Sequence, residues 1–332
     1  MAEARIEVLR AGPATTVQDQ GRYGLRRYGV NVSGPMDWVA HGTALALAGA
    51  PQDAPAFETG PGGLEIAALG GPVHVGVAGT GSGGVWARGA GARTVLPAPF
   101  ALVLAPGERL FVRAGARGTW TSLAVAGLDA GAPVLRSRAT NARTGLGPVR
   151  PVAGACYGCA AADAAPLFLA RDPLGDEEAS ARIEVLPGPQ HHLFEPDIQA
   201  RLTEGTYEVT DQRDRMGMAL AGDPLPCAAG HDIVSDAMVE GAMQIPGNGR
   251  PLVLCADRAP TGGYPKLAIV ARASLPRLVQ ARPGDRLRFV WSDITAARAA
   301  TAALRAATVA PAARARAPLD PAFLRAFAAD LR

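Results

Sequence analysis

A repeated spacing constrains this chain more than any other feature. Ile6-Glu7-Val8-Leu9 returns as Ile183-Glu184-Val185-Leu186, 177 positions later. Pro106-Gly107-Glu108-Arg109-Leu110 returns as Pro283-Gly284-Asp285-Arg286-Leu287, again 177 positions later. Between them, Val77-Ala78-Gly79-Thr80-Gly81-Ser82-Gly83-Gly84 resembles the stretch from Leu254 to Gly263, its glycine pair displaced by 179. Chance supplies one echo readily, but three in the same order at nearly one offset point to two related halves. The reading predicts a first half over 1–130 and a second over 181–294. An Ala/Gly/Pro-rich connection over 131–180 joins them, and an Ala/Arg-rich helical tail occupies 295–332. A length of 332 residues suits about two domains.

Each half reads as mainly β with a few helices. The runs Pro72–Ala78, Phe100–Leu104, Thr121–Val125, Ile183–Leu186, Pro251–Leu254 and Leu267–Val270 are short, apolar and bounded by Gly, Pro or Asp, as strands are. The two Pro-Gly-Glu/Asp pieces are turns feeding a strand. With 40 glycines and 28 prolines the chain is punctuated too often for a long helical bundle. Helices are expected at Met36–Leu47, at Pro196–Leu202 and at Thr295–Val309. A last one is expected after Asp320-Pro321, with Phe323, Leu324, Phe327 and Leu331 on its apolar face. Many short strands with turn signals fit barrels or sandwiches rather than a parallel α/β sheet.

Several functions are disfavoured. A net charge of +3 gives no electrostatic case for nucleic acid or a membrane surface. No run approaches the ~18 apolar residues of a spanning helix. The opening Met1-Ala2-Glu3-Ala4-Arg5 shows no export leader, so a cytoplasmic location is expected. Gly79-Thr80-Gly81-Ser82-Gly83-Gly84 has the glycines of a dinucleotide fingerprint, but Val85-Trp86-Ala87-Arg88-Gly89 does not start the helix such a site needs. No P-loop motif is present. Cys156-Tyr157-Gly158-Cys159 lacks a second pair of ligands for zinc and reads as small residues in a loop. The adjacent His191 and His192 have no carboxylate cluster beside them, and no metal site is expected.

The basic residues point to a site. Of 33 Lys and Arg, one is a lysine, Lys266. An ammonium is compact and able to lose its proton, which a guanidinium does not do. It ends the densest chemical cluster of the chain, Asp257-Arg258-Ala259-Pro260-Thr261-Gly262-Gly263-Tyr264-Pro265-Lys266. Glycines there let a backbone approach a ligand, and Thr261, Tyr264 and Lys266 bring donors for an anionic or carbonyl group. Asp211–Gly217 and Ser235–Gln244 form a second polar zone, and Thr15–Arg22 with Ser33–Asp37 a third.

Taken in order, Thr15-Thr16-Val17-Gln18-Asp19-x-Gly21-Arg22, Ser33-Gly34-Pro35-Met36-Asp37, Gly188-Pro189-Gln190, Asp214-Arg215-Met216-Gly217, Gln244-Ile245-Pro246 and Thr261–Lys266 resemble the biotin-dependent carboxyltransferase, or allophanate hydrolase subunit 2, family. That family includes the C subunit of bacterial 5-oxoprolinase, a kinase-inhibitor antagonist, and the carboxyltransferase region of urea carboxylase. The resemblance implies two related cyclophilin-like β-barrel domains. It implies a B subunit and an A subunit as partners, and ATP with Mg in the assembled complex, which opens the lactam of 5-oxo-L-proline to L-glutamate. The alternatives are carboxyl transfer from carboxybiotin, with biotin carried by another protein, and a non-enzymatic antagonist of a kinase-inhibitor-like B subunit. In the lactamase reading Lys266 and Arg215 neutralise phosphate or carboxylate charge, and Asp257 and Asp214 orient the cations or move a proton. Thr261, Gly262, Gly263, Tyr264, Arg258, Gln244, Ser235, Gln18, Asp19, Arg22, Ser33, Asp37 and His191 are the expected binding residues. The chain departs from the family at Leu135–Thr140, where a Gly-Ser-x-Ser-Thr segment is usual, and at Met218-Ala219, after Arg-Met-Gly.

Overall fold

The computed structural model describes residues 3–89, 92–115, 117–163, 167–175 and 182–311. The helix expected after Asp320 lies outside the described residues. The chain divides into two compact units. One takes in the described residues of Met1–Gly21, Asp37–Asp176 and Leu304–Arg332, the other those of Arg22–Met36 and Glu177–Ala303.

The first unit contains β1 (Arg5–Ala11), β2 (Thr16–Gln18), α1 (Trp38–Leu47), β3 (Ala56–Thr59), β4 (Leu64–Leu69), β5 (Val73–Ala78), β6 (Ser82–Arg88), β7 (Ala92–Pro97), β8 (Phe100–Leu104), β9 (Arg109–Ala114), β10 (Thr121–Val125), β11 (Cys156–Gly158) and β12 (Phe168–Leu169). They form two six-stranded antiparallel sheets, in the orders β11-β1-β4-β9-β6-β7 and β12-β8-β5-β10-β3-β2. Both sheets feed one apolar core. Ile6, Val8, Leu64, Ile66, Leu110 and Val112 of the first meet Phe57, Val75, Val77, Phe100, Leu102 and Leu123 of the second. β1 alternates between buried and partly exposed positions, as a strand with one face on a core does. β10 is buried at every position because α1 covers its outer face, Ala40, Ala44, Leu45 and Ala48 packing on Ala56, Ala78 and Ala124. The approach is close enough that a Cβ on Gly76 would stand 2.2 Å from Ala44 O. Asp37 starts α1 by accepting from the backbone N–H groups of Val39 and Ala40. The Gly79–Ser82 turn runs into β6 with Gly79 at φ 148° and Gly81 at φ 63°, and no helix follows the glycines. The segment expected as a connection supplies β11 and β12 to these sheets.

The second unit contains β13 (Arg182–Pro187), α2 (Pro196–Glu204), β14 (Tyr207–Arg213), β15 (Gly217–Ala221), β16 (Asp236–Ala237), β17 (Ala242–Gln244), β18 (Leu252–Leu254), β19 (Thr261–Gly262), β20 (Lys266–Val270), α3 (Leu275–Gln280) and β21 (Arg286–Trp291). α4 (Ile294–Val309) follows. Seven strands close a barrel in the order β13-β20-β17-β18-β15-β14-β21, and β16 pairs with β19 as a separate two-stranded arm. Ile183, Val185, Tyr207, Val209, Leu287 and Phe289 are buried positions of strands that alternate in exposure, while β20 is buried at four of its five positions.

The repeated sequence pieces take the same local roles. β1 and β13 share the same order of exposed and buried residues over their first five positions. Gly107 and Gly284 hold φ 85° and 90° in the turns that lead into β9 and β21. The pairings differ. β1 and β9 lie on either side of β4, whereas β13 pairs directly and in parallel with β21, from Arg182 opposite Arg288 to Val185 opposite Trp291. That pair closes the barrel of the second unit; the strands of the first form two open sheets.

Candidate functional site

Lys266 begins β20, inside the barrel wall, and is 1% exposed. Its backbone is fixed from the Gly188-Pro189-Gln190 turn. Gly188 N–H donates to Leu267 O, Gln190 N–H to Lys266 O, and Lys266 N–H to Gln190 Oε1. The turn sits so close that a Cβ on Gly188 would stand 2.1 Å from Lys266 O, so the first residue of this motif must be glycine. Across the sheet Lys266 is paired with Gln244, at a register shift between Met243 and Gln244 that places both side chains beside the irregular end of β17.

The Lys266 ammonium lies 3.2 Å from Asp236 Oδ2, its one partner among the described residues. An ammonium carries three N–H donors. Asp236 belongs to the short arm, opposite Gly262, and 47% of its side chain is exposed. Its carboxyl is held below the usual range by the Ala237 N–H, then by Lys266 and Gln190. The same arm packs on the glycine turn. Ile233 N–H donates to Gly263 O, and Met238 N–H to Pro260 O. A Cβ on Gly262 would stand 2.6 Å from Met238 Cε and 3.0 Å from Gln244 Nε2, so this glycine keeps the backbone against the Gln244 amide. Gln244, Thr261, Met238, Asp214 and Arg213 line a cleft of about 600 Å³ together with Leu252 and Leu254. Ser235 and Tyr264 are exposed at the rim of the turn.

Arg215 and Asp257 are locked to each other. Arg215 Nε donates to Asp257 Oδ2 at 2.9 Å and Nη2 to Oδ1 at 3.3 Å, with both side chains largely buried. Arg215 Nη2 also donates to Gly34 O at 2.5 Å. The Ser33-Gly34 pair makes that carbonyl available by turning through φ 59° and 95°. Asn31 Nδ2 donates to the carbonyls of Asp257 and Arg258 and fixes the same loop. Asp214 accepts from the N–H groups of Met216 and Gly217, which makes it the turn residue that sets Arg215 in place. Arg258 is 8% exposed and donates to Cys255 O and Ala256 O, and its Nε has no hydrogen-bond partner among the described residues. Glu240, which no motif singles out, stands 3.9 Å from Arg272. Burial raises its carboxyl above the usual glutamate range, while Arg258, Arg272 and Arg215 pull it down. Cys255 is buried, and burial pushes its thiol to about 12, which leaves it inert.

The remaining expected residues fall into separate groups. Arg22 and Ser33 belong to the second unit and are buried, Arg22 N–H bonding Val32 O. His191 lies in the one-turn helix His191–Leu193, its ring edge-on to Trp291 at 5.1 Å, and burial together with His192 lowers its pKa. Gln18, Asp19 and Asp37 belong to the first unit. There Gln18 Nε2 donates to Thr16 Oγ1 and Thr140 O. Asp19 accepts from Ser137 Oγ and from the N–H groups of Arg138 and Gly21. These two residues clamp the 137–140 segment, and Asp37 caps α1. Cys156 and Cys159 are free; spaced along and just past β11, they stand about 10 Å apart at ~3.3 Å per residue, too far for one disulfide.

The model of the carboxyltransferase domain, subdomain A and B, matches residues 28–291. The C subunit of 5-oxoprolinase from Escherichia coli (strain K12) is 30% identical over 302 residues, covering 87% of this chain and 92% of that protein. Its namesake from Haemophilus influenzae is 28% identical over 287 residues, covering 86% and 90%. Among solved structures, TTHA0988 superposes with a TM-score of 0.76 at 30% identity over 87% of this chain. The Kluyveromyces lactis urea amidolyase superposes with a TM-score of 0.81 at 24% identity over 93% of this chain, a likeness of fold. The chain spans 56% of TTHA0988 and 20% of the urea amidolyase. With most of its length matched by that one model, and by a relative of nearly the same extent, the chain belongs to the carboxyltransferase domain family, subdomains A and B.

Proposed function

We propose that this chain is the C subunit of an ATP-dependent 5-oxoprolinase, working with A and B subunits to open the lactam of 5-oxo-L-proline to L-glutamate. The observation that carries the reading is that two proteins named as the C subunit of 5-oxoprolinase align with this chain over nine-tenths of their own length. The Lys266 site suits the chemistry. A lactam carbonyl is a poor electrophile, and its opening builds negative charge on oxygen. A buried ammonium with unused donors, the Gln244 amide and the backbone at Gly262-Gly263 are positioned to hold such an oxygen away from water. Arg215, Asp257 and Asp214 serve that site by fixing the 255–258 loop rather than by moving a proton, since their hydrogen bonds are spent on each other and on the backbone.

ATP supplies the activation of the carbonyl in the complete enzyme. Among the described residues no cluster of three or more His, Cys, Asp or Glu is disposed to hold its magnesium. The side chains around Lys266 are assigned to the lactam on their own chemistry, an ammonium and an amide beside a close-approaching backbone. The two units are read as diverged copies of one cyclophilin-like barrel domain, with the halves placed at 1–130 and 181–294, and the location as cytoplasmic. No helix among the described residues is long and apolar enough to cross a membrane.

Carboxyl transfer is the second reading, favoured by the likeness in fold to urea amidolyase. Biotin would then be carried outside these 332 residues, whose only lysine is buried in the barrel wall. The test is to co-express the chain with A and B partners and follow glutamate release from 5-oxoproline with and without ATP. ATP-dependent glutamate, lost about a hundredfold or more in Lys266→Met with assembly intact, is the expected outcome. No glutamate from an assembled complex, or full turnover in Lys266→Met, would remove this reading, with carboxybiotin transfer the next assay.

A further inference from the structure

Lys266 and its counter-ion are held very differently: one is buried in the barrel wall, the other is half exposed. Lys266 sits in a barrel strand, and its backbone is tied at both faces of the peptide by the Gly188–Gln190 turn. Asp236 sits on a strand of two residues, paired outside the barrel to two residues only. The segment leading to it is exposed, with Val234 at 92%. Met238, 1% exposed in a core cluster with Ala242 and Leu254, anchors the far end of the arm, so the exposed stretch that ends at Asp236 is its part of low local stability. A buried ammonium requires a counter-charge whenever the site is empty of ligand, and Asp236 is the carboxylate that reaches it. The Asp236 carboxylate loses little by leaving, because nearly half of its side chain already meets solvent. Lys266, 1% exposed, would be left as an uncompensated charge unless another oxyanion took its place.

We propose that Asp236 is a built-in surrogate anion, filling in the unliganded chain the place where an oxyanion of the ligand pairs with Lys266, and turning its carboxylate out to solvent when that ligand enters, with Met238 staying in the core. The inference rests on the reading of Lys266 as the ligand-binding ammonium and adds who competes for it. The ligand group is an oxyanion on a small molecule, either a carboxylate or a phosphoryl group, bordered by Gln244 and Gly262. Asp236 is on this account a specificity device. It makes the site reject monoatomic and weakly bound anions, because any entrant must outcompete a tethered carboxylate.

The single lysine makes the test direct. Growth on ¹³C,¹⁵N-lysine labels Lys266 alone, with its ammonium chemically unaltered. The full chain is titrated with 5-oxo-L-proline and, separately, with inorganic phosphate, in the wild type, in Asp236→Asn and in Asp236→Ala. Far-UV circular dichroism and the melting midpoint confirm that each variant keeps its barrel. The expected result is that one of the two ligands moves the Lys266 resonance and binds about tenfold more tightly in both variants than in the wild type. A response to 5-oxoproline alone identifies the carboxylate, and a response to phosphate alone the phosphoryl group. Binding that is equal or weaker in both variants overturns the surrogate role while leaving Lys266 as the binding ammonium. A Lys266 resonance that neither ligand moves in any of the three proteins overturns the reading of the site as well.

Discussion

His41 makes the first unit sensitive to acid in a way that one substitution isolates. It lies on α1, 1% exposed, and neither ring nitrogen has a partner among the described residues. Burial lowers its pKa from 6.5 to about 4, against a smaller opposing pull from Asp19. In the unfolded chain the imidazole titrates at its ordinary value. Between those two values the unfolded state binds a proton that the folded state refuses, so stability falls as pH falls from about 6.5 to about 4 and levels off below. The separation is about 2.5 pH units at about 1.4 kcal/mol each, or about 3 kcal/mol in all.

The perturbation is His41→Leu, which removes the proton site and keeps the volume close. At pH 8 the variant is expected to equal or exceed the wild type, because two buried polar atoms without partners are replaced by carbon. As the pH is lowered to 4 its advantage should widen by about 3 kcal/mol. Urea denaturation at half-unit pH steps, followed by tryptophan fluorescence, is the assay; Trp38, Trp86 and Trp120 lie in the first unit and report on it. His74 and His191, whose pKa values burial also lowers, are present in both proteins and cancel in the difference. A difference between the two proteins that stays constant from pH 8 to pH 4 would refute the reasoning, for it would mean that the folded chain takes up the proton as easily as the unfolded one.

Two further outcomes follow from backbone geometry. Gly188→Ala places a Cβ 2.1 Å from Lys266 O, and the turn that anchors Lys266 must then move. A loss of about 3 kcal/mol in the urea denaturation of the second unit is expected, and a loss under about 0.5 kcal/mol would show that the turn does not hold the strand. Leu135 and Arg136 hold φ 51° and 65° between the bridged residues Val134 and Ser137, a conformation that Asn-Gly adopts without strain. Leu135→Asn with Arg136→Gly should raise stability by about 1 kcal/mol, and a fall in the denaturation midpoint would disprove the strain.

What the sequence discloses and what it conceals divide along the range of the interactions. The strand runs, the turns at Pro106-Gly107 and Pro283-Gly284, and α1 are local, and local patterning places each within a few residues, though Asp37, expected as a binding residue, is the cap of α1. α3 gives no such signal, because six residues beginning Leu275-Pro276 carry too little periodicity to stand out. Closure of the barrel depends on a parallel contact between β13 and β21, about a hundred residues apart, and no pattern within either strand announces a neighbour. The positive φ values at Leu135 and Arg136 are hidden for the opposite reason. The residues there are not the ones such a turn prefers, so the chemistry of the sequence argues against the backbone it adopts.

The site repeats this division at the scale of single residues. Lys266 stands out because it is the only lysine among 33 cationic residues, and Gly188 and Gly262 because glycine recurs in motifs where a backbone must come close. Asp236 and Glu240 do not stand out, since an acid in a polar stretch is the ordinary condition of a surface loop. What distinguishes them is the cation each one reaches, and that is fixed by a pairing of two residues with two residues in one case and by a fold-level approach to Arg272 in the other. A lysine buried in a barrel wall demands a counter-charge, so the existence of Asp236 follows from the burial of Lys266 even where its position does not. The physical requirement precedes the residue that meets it: once Lys266 is known to be buried, the question becomes which carboxylate reaches it, and an exposed arm of two paired residues is the answer the fold supplies.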